Sequence, residues 1–346
     1  MRVAIPGGVL RLVAFFSLFL LGCGPDFDPP SELHSLRVLA VHKDVPYAQP
    51  GDTVNLQMLW EDASLKVGRR VRVAWSGPCF DPAGDLYYGC FSDPSVFGGM
   101  LTLDQDTTSF TMAKDVIKPN VSTDPKNAPY GVAYVFFAIC AGDFALLPPG
   151  GSVSFPIGCK GADGTLLGAD DFVAGYTSVY SFQSFSNNNP VISGFELNGQ
   201  ALDATDFCLG DQCTALAGSV PAGEVMCDSK AALCVPTCAD DGDPKCTGYR
   251  IRPIIDKTNA ANQDEDSVSA KLLGRHVGEQ MWINYYTDAG GFKSAVRLLN
   301  DATAGWNDDY GTELYAPKAA GPFRVWAVVH DNRGGVAWSG VTLQAQ

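Results

Sequence analysis

The chain has 346 residues and a formal net charge of −14, with 24 Lys and Arg against 38 Asp and Glu. This acidic balance argues against a nucleic-acid partner, because affinity for nucleic acid comes mainly from basic contacts to phosphate. The length allows about two domains, each able to bury its own core.

The first 22 residues have the parts of an export signal. Residues 1–11 contain Arg2 and Arg11 and no acid, and residues 12–21 are apolar but too short for a membrane-spanning helix. The next motif, Leu20-Leu21-Gly22-Cys23, resembles the lipobox of bacterial lipoproteins, in which the cysteine is acylated and becomes the new N-terminus. The resemblance implies a lipid anchor at Cys23. The alternative is an ordinary secreted protein with a cysteine close to its cleavage site.

Cysteines other than Cys23 are expected to form disulfides, because an exported protein folds in an oxidising compartment. Cys79 and Cys90 lie close in sequence, as do Cys140 and Cys159. The others crowd into residues 208–246, and the sequence does not choose among their pairings: Cys208, Cys213, Cys227, Cys234, Cys238 and Cys246. Zinc is the alternative for this cluster, but it contains no CxxC pair and no nearby histidine.

The first half of the chain predicts a tether followed by short strands. Residues 23–32 are polar and rich in proline, as in a flexible linker. Apolar side chains then alternate with polar ones, which is typical of a half-buried strand, whereas the continuously apolar Tyr134–Ile139 predicts a central strand covered on both faces. The alternating segments are Thr53–Trp60, Arg70–Trp75 and Phe172–Phe182, the last through Tyr176, Ser178, Tyr180 and Phe182.

A polar, turn-forming segment at Ser186–Pro190 predicts a domain boundary, which divides the folded chain into residues 33–186 and 187–346. The cysteine-rich residues 208–246 form a predicted disulfide-stapled insertion in the second domain. Ser269–His276 is the one candidate for a helical turn or two. The predicted strands of this half are Val191–Leu197, Tyr249–Ile255, Gln280–Tyr286, Pro322–Val329 and Val336–Leu343.

Two stretches resemble bacterial immunoglobulin-like domains. Gln49–Leu56 is similar to the turn that leads into the second strand of such a sandwich, and Phe323–Gly335 is similar to the last hairpin of PKD-like domains. In that hairpin an alternating strand ends in Asp, and glycines supply positive φ at the return. The resemblance implies an all-β fold of two tandem immunoglobulin-like β-sandwich domains. With the lipobox and tether, the whole chain resembles lipoproteins of Gram-negative bacteria.

The histidines are the first candidates for catalytic or metal-binding groups. None of the four (His34, His42, His276 and His330) has the spacing of a metal-ligand pair. His330 beside Asp331 is the best candidate for a general base, yet neighbouring residues on a strand point to opposite faces. No nucleophile motif accompanies them, so we expect His330 to be a structural residue at a strand end.

Carboxylates and aromatic rings supply two further candidate sites. Asp240, Asp241 and Asp243 lie in a glycine-bearing loop and are candidate calcium ligands, although acidic loops in so acidic a chain are usually only solvated. The aromatic residues of the second half could stack on sugars, but core packing is the expected role of such rings: Tyr285, Tyr286, Trp306 and Tyr310.

The sequence therefore predicts a lipid-anchored, non-enzymatic binding or structural module of the cell envelope that needs no cofactor. Its expected partners are the membrane, through the lipid, and a glycan or another envelope protein. Gly24, rather than Asp, after Cys23 is compatible with the outer membrane, on either its periplasmic or its outer side. The alternative is a secreted hydrolase that acts on polysaccharide through carboxylates distant in sequence.

Overall fold

The structure is a computed structural model that describes residues 29–64, 69–81, 86–92, 101–117, 129–147, 157–214, 227, 233–261, 274–275 and 277–346. Cys23, His276 and most of the predicted helical turn lie outside these residues. Within them, no helix is both long and apolar enough to cross a membrane. The predicted all-β fold of two tandem β-sandwiches is confirmed.

The first half contains ten strands and a short 3-10 helix, Tyr87–Ser92, in its described part. The strands are β1 (Leu36–Lys43), β2 (Tyr47–Ala48), β3 (Thr53–Asp62), β4 (Arg72–Phe80), β5 (Leu101–Leu103), β6 (Thr107–Thr111), β7 (Gly131–Cys140), β8 (Asp143–Leu146), β9 (Ile157–Lys160) and β10 (Phe172–Ser181).

These strands form a two-layer sandwich. One sheet has the order β1-β3-β6 and the other has the order β2-β10-β7-β4-β5, while β8 and β9 form a separate hairpin. Trp75 on β4 is fully buried between the sheets, as expected for the central tryptophan of an immunoglobulin-like fold. The predicted inward set of β3 packs in the same core, which contains Val54, Leu56, Met58, Phe110, Val135, Phe137 and Val179.

The second half contains twelve strands, one helical turn, Asp211–Thr214, and a 3-10 helix, Lys257–Ala261, in its described part. The strands are β11 (Ile192–Leu197), β12 (Gln200–Ala201), β13 (Phe207–Leu209), β14 (Cys234–Val235), β15 (Gly248–Ile255), β16 (Met281–Thr287), β17 (Gly291–Phe292), β18 (Val296–Asp301), β19 (Gly305–Trp306), β20 (Thr312–Tyr315), β21 (Gly321–Asp331) and β22 (Val336–Ala345).

The second sandwich repeats the strand order of the first and adds strands at its edges. Its β11-β15-β20 correspond to β1-β3-β6, and its β14-β22-β21-β16-β18 correspond to β2-β10-β7-β4-β5. The sheet β12-β11-β15-β20-β17 packs on a sheet with the order β13-β22-β21-β16-β18-β19, and β14 pairs with β22. In the first sandwich β2 runs parallel to β10, and in the second β14 runs parallel to β22 in the same way. The cysteine-rich insertion supplies β13 and β14, so it completes the edge of a sheet.

A third apolar cluster lies between the two sandwiches. The outer face of the first sandwich, on β1 and β3, packs against the outer face of β21 and β22. Members of this junction core include Leu33, Leu39, Leu59, Cys208, Cys213, Trp326, Val328, Val336 and Trp338. Residues 31–346 therefore form one compact unit.

Buried charges flank the junction core. Arg324 on β21 donates from Nη2 to Oε1 of Glu61 on β3 at 2.5 Å, and its Nε lies 3.2 Å from Asp288. Burial raises the pKa of Glu61, and the charge of Arg324 opposes this effect and favours the carboxylate form. Removing one partner would leave the other buried without its counter-charge, at a cost of about 3–5 kcal/mol.

At the other end of the junction, Lys43 is buried and donates from Nζ to the carbonyl oxygen of Ser178 at 3.2 Å. Burial lowers its pKa to about 8, although the charge of Asp331 acts in the opposite direction. Arg333 pairs with buried Glu279 at 3.2 Å and lies 4.9 Å from the ring of Tyr47. The contact of Arg333 with Tyr47 thus joins the two sandwiches at this end as well.

Two segments have more contacts in the structure than the sequence predicts for them. The predicted alternating strand at Phe323–Asp331 is covered on both faces, because Val325, Ala327 and Val329 enter the second core while Trp326 and Val328 enter the junction. In the predicted tether, the carbonyl oxygen of Ser31 accepts a hydrogen bond from the N–H of Thr287 at 2.9 Å.

Candidate functional site

The ten cysteines expected in disulfides are all paired. Each bonds to the next one along the chain: Cys79–Cys90, Cys140–Cys159, Cys208–Cys213, Cys227–Cys234 and Cys238–Cys246. In the insertion, Cys208 lies on β13 and Cys234 lies on β14. Both strands pair with β22 but at different positions along it, so these two cysteines are kept apart and each bonds to a neighbour in sequence.

His330 and Asp331 have structural surroundings. The ring of His330 stacks on Trp282 with centroids 5.2 Å apart, and burial lowers its pKa to about 4. Asp331 is buried, and its Oδ1 accepts the N–H groups of Arg333 at 2.7 Å and Gly335 at 2.8 Å. Its Oδ2 accepts Nδ2 of Asn187 at 2.9 Å. Asp331 thus ties the β21–β22 turn to the segment between the sandwiches.

The candidate calcium ligands are engaged by N–H donors. Asp240 lies 3.1 Å from Nζ of Lys318, and Asp241 accepts the backbone N–H of Lys318 at 2.6 Å. Asp243 accepts the N–H of Lys245 at 2.9 Å. In the described part of the chain, no group of three or more His, Cys, Asp or Glu residues could hold a metal ion.

Of the aromatic residues that the sequence offers for sugar stacking, three pack in the second core, namely Tyr285, Trp306 and Tyr310, and Tyr286 packs against the junction core. Tyr285 is fully buried and donates from its hydroxyl to the carbonyl oxygen of Tyr310 at 3.1 Å. Tyr310 is also buried and meets Trp306 edge-on at 5.8 Å. Tyr285 and Tyr310 therefore pack the interior, whereas Trp306 and Tyr286 are partly buried.

A different set of rings lies on the outer surface of the first sandwich, which we call the aromatic face: Tyr87, Tyr88, Tyr134, Tyr176 and Tyr180. Tyr176 and Tyr180 occupy outward positions on β10, and 45% and 39% of their surfaces are exposed. The intervening Val179 points inward to the core, together with the partly buried Val173. Tyr134 lies beside them on β7, where its backbone pairs with that of Ser178.

The Cys79–Cys90 disulfide brings the remaining rings to this surface. Cys79 is the penultimate residue of β4, and its bond to Cys90 holds the 3-10 helix Tyr87–Ser92 over the outer face of the sheet. There Phe91 packs on Phe136 with centroids 5.3 Å apart. The disulfide and this aromatic contact hold the helix in place, so its two tyrosines have a fixed position above β10.

Three tyrosines of the aromatic face form a stack. The ring of Tyr87 lies 4.1 Å from that of Tyr88 and 4.4 Å from that of Tyr176, with interplanar angles of 32° and 31°. A hydrogen bond with Tyr88 raises the pKa of Tyr87 to about 12, so the hydroxyl of Tyr87 stays uncharged near neutral pH. Tyr88, at the end of the stack, is 62% exposed. The arrangement presents neutral rings and hydroxyls to solvent.

A cleft of about 850 Å³ lies beside the junction. Its floor is the polar part of the β1-β3-β6 sheet, with His42, Asn55 and Ser109, and its opposite wall includes Val191 and Trp338. Nδ1 of His42 lies 2.6 Å from the carbonyl oxygen of Val336. Because a carbonyl oxygen can only accept, this nitrogen carries the hydrogen. The volume is within the usual range of ligand sites, which often lie between domains.

Sequence reasoning did not find the aromatic face. The alternation of Phe172–Phe182 was recognised, but it contains apolar residues on both faces, so it does not say which set is buried. A usable signal was present in the valines, since Val173 and Val179 are better suited to a tightly packed core than tyrosines that carry a hydroxyl. The contribution of Tyr87 and Tyr88 depends on the loop that the disulfide folds back.

No protein-family model matches the chain, and no curated protein is similar to it in sequence. Among solved structures it is similar to the fibronectin(III)-like modules of Clostridium thermocellum CbhA, with 10% identity over 88% of this chain and 93% of that chain and a TM-score of 0.18. It is also similar to the native conformation of E. coli alpha-2-macroglobulin, with 9% identity over 90% of this chain and a TM-score of 0.21.

A Salmonella alpha-2-macroglobulin variant gives 10% identity over 93% of this chain and a TM-score of 0.21. The chain spans only 17% of the length of either macroglobulin. Similarities at these TM-scores carry no argument about function.

Proposed function

We propose that this chain is a lipid-anchored, non-enzymatic binding module of the cell envelope that recognises glycan through its aromatic face. The stack of Tyr88, Tyr87 and Tyr176 is the observation that carries the proposal. The rings of Tyr88 and Tyr176 are exposed, and the Cys79–Cys90 disulfide attaches the helix that carries Tyr88 to the sheet. A surface that is ordered before binding loses little conformational entropy when a ligand docks.

The chemistry of this face favours sugar. An aromatic ring has an electron-rich face that attracts the C–H groups on one side of a sugar ring, and the hydroxyl of tyrosine adds a hydrogen-bonding group at the rim. Tyr176 and Tyr180 are four residues apart on one strand, which places them about 14 Å apart at a rise of about 3.4 Å per residue. A glycan chain that lies along β10 would meet one ring after another.

The lipid anchor is part of the proposal and rests on the sequence. The lipobox-like motif would make Cys23 the start of the mature chain, with few residues between it and the first buried residues, Ser31 and Leu33. We assign the anchor to the outer membrane. A short connection of this kind would keep the sandwiches close to the membrane surface and restrict the glycans within reach.

The non-enzymatic assignment is supported by the roles that the candidate catalytic residues already have. The ring of His330 is partly buried and stacks on Trp282, and its pKa is far below neutral, so it would be a weak base. The carboxylate of Asp331 accepts hydrogen bonds from the β21–β22 turn and from Asn187. Neither group is positioned to meet a substrate.

Glycan binding is tested with the full chain in detergent against cellulose, chitin, xylan and peptidoglycan, measured by sedimentation with the polymer and by release of reducing ends. Saturable binding without release is expected for at least one polymer. Tyr88→Ala and Tyr176→Ala should each weaken binding about tenfold, which is the loss of about 1.4 kcal/mol. Leu146→Ala is the control, since this side chain is 84% exposed and lies outside the face.

Unchanged binding in both tyrosine variants would refute the role of the aromatic face. Release of sugar by the wild-type chain would refute the non-enzymatic assignment. The anchor is tested separately with Cys23→Ala, which should move the protein from the membrane fraction to the soluble one. A variant that stays in the membrane fraction would show that the lipobox interpretation is wrong.

A further inference from the structure

The edge of the three-stranded sheet carries a row of backbone groups with no partner strand in the described part of the chain. β6 is the outermost strand of the β1-β3-β6 sheet. The N–H of Met58 donates to the carbonyl oxygen of Asp106, and the N–H of Met112 donates to that of Asp52, both at 2.8 Å. In an antiparallel ladder, every second residue directs both of its backbone groups to the neighbouring strand.

These two hydrogen bonds show which residues of β6 direct their backbone groups to β3. Residues 106, 108, 110 and 112 direct their backbone groups to β3. Thr107, Ser109 and Thr111 therefore direct their N–H and C=O groups away from it, to the open edge. All three residues are exposed, whereas Thr108 and Phe110 between them are buried. The edge thus offers three donors and three acceptors, alternating along the strand.

This edge borders the cleft beside the junction. Thr107 and Ser109 are among the residues that line the cleft, and the wall contributed by the second sandwich is largely apolar, with Val191, Leu209 and Trp338. Val191 is 62% exposed, so its side chain is available for contact. A segment lying along β6 would have backbone hydrogen bonds on one side and apolar side chains within reach on the other.

We propose that β6 is a strand-addition site that binds an extended polypeptide segment in the junction cleft. A donor and an acceptor that alternate at the spacing of a β-strand are matched by another polypeptide backbone, and not by a sugar or a nucleotide. The apolar wall selects a segment with small apolar or β-branched side chains at alternate positions. This site lies apart from the aromatic face, so the proposal does not depend on glycan binding.

The test uses the full chain in detergent and the synthetic peptide acetyl-Lys-Thr-Val-Thr-Val-Thr-Lys-amide. Saturable binding is expected by calorimetry, and a counterpart with proline in place of both valines should bind at least tenfold more weakly, because proline has no N–H to donate. The lysines keep the probe soluble, and both peptides have the same charge. Equal binding of the two peptides would therefore mean simple attraction to an acidic protein, which would overturn the proposal.

Two substitutions at one position separate backbone from side-chain recognition. Ser109→Pro removes an N–H that points to the open edge, so it leaves the bonds to β3 in place and is tolerated on an edge strand. It should weaken peptide binding at least tenfold. Ser109→Ala keeps the N–H and should bind within about twofold of the wild type. A folded Ser109→Pro variant with unchanged affinity would overturn strand addition, and so would an equal loss in both variants.

Hydrogen exchange of the wild-type chain gives a second readout that does not depend on the folding of any variant. Saturating peptide should slow the exchange of the Thr107, Ser109 and Thr111 amides, while the already paired Thr108 and Phe110 amides change little. Unchanged exchange at the three edge amides would overturn the proposal. So would a dimer that Ser109→Pro dissociates, since a second copy of this chain would then be the occupant of the edge.

Discussion

Leu59→Ala tests whether the two sandwiches depend on each other for stability. Leu59 lies at an outward position of β3, and it has no exposed surface because β21 and β22 of the second sandwich cover it. Truncation of a fully buried leucine removes apolar contacts and leaves a cavity, at a cost of about 2–5 kcal/mol. We expect a loss of about 3 kcal/mol in the free energy of unfolding, measured by urea denaturation.

The matched control is Leu56→Ala. Leu56 is equally buried, but it lies in the core of the first sandwich. Both variants should lose a similar free energy, whereas only Leu59→Ala should open the junction. Hydrogen exchange reports this opening at the amide of Leu33, which donates to the carbonyl oxygen of Thr287 at 2.8 Å, and at that of Val336, which donates to Oδ1 of Asn189 at 2.9 Å.

If the two sandwiches did not pack against each other, Leu59 would be exposed to solvent. Surface substitutions away from special features usually change stability by less than about 0.5 kcal/mol. A loss below that value in Leu59→Ala, together with unchanged exchange at Leu33 and Val336, would refute the buried junction. A loss confined to Leu56→Ala would have the same meaning.

Three further predictions concern the polar and covalent parts of the junction. The lowered pKa of Lys43 means that the folded chain releases this proton near pH 8 and the unfolded chain near pH 10.5. The free energy of unfolding of the wild type should therefore rise relative to that of Lys43→Met between these pH values. The same change of this free energy with pH in both proteins, measured by urea unfolding at pH 8, 9 and 10, would contradict this. Replacing both Cys208 and Cys213 with serine should lower the free energy of unfolding by about 2 kcal/mol, because the disulfide closes a short loop and restricts the unfolded chain. An unchanged midpoint of thermal unfolding would mean that the bond is dispensable. Asp331→Ala should cost about 3 kcal/mol, because it leaves three N–H donors near a buried turn without their acceptor, and a urea midpoint equal to that of the wild type would contradict the structural role of this carboxylate.

The sequence predicted those strands whose two faces differ sharply in polarity. In β3, Val54, Leu56 and Met58 alternate with Asn55 and Gln57, so only one assignment of faces is physically reasonable. The same reasoning failed for the aromatic face. On β10 both sets of side chains are apolar or small, and the choice between them depends on what packs against each face.

The junction was beyond sequence reasoning for a related reason. Leu59 and Trp326 have the residue types of buried side chains, but each lies on the outward face of its own sandwich. Their burial requires a partner sheet that lies hundreds of residues away along the chain. The ion pair of Glu61 with Arg324 shows the same point, since no local pattern connects these two residues.

The sequence by itself determined the all-β class, the positions of many strands and the cysteines available for disulfides. Each of these depends on neighbours along the chain: strand period, turn residues and cysteine content. Only the tertiary structure decided which cysteines pair in the insertion, which face of β10 carries exposed tyrosines, and how two sandwiches form one body. These features depend on the packing of distant segments, where burial of a side chain is a property of the surface that meets it and not of the residue alone.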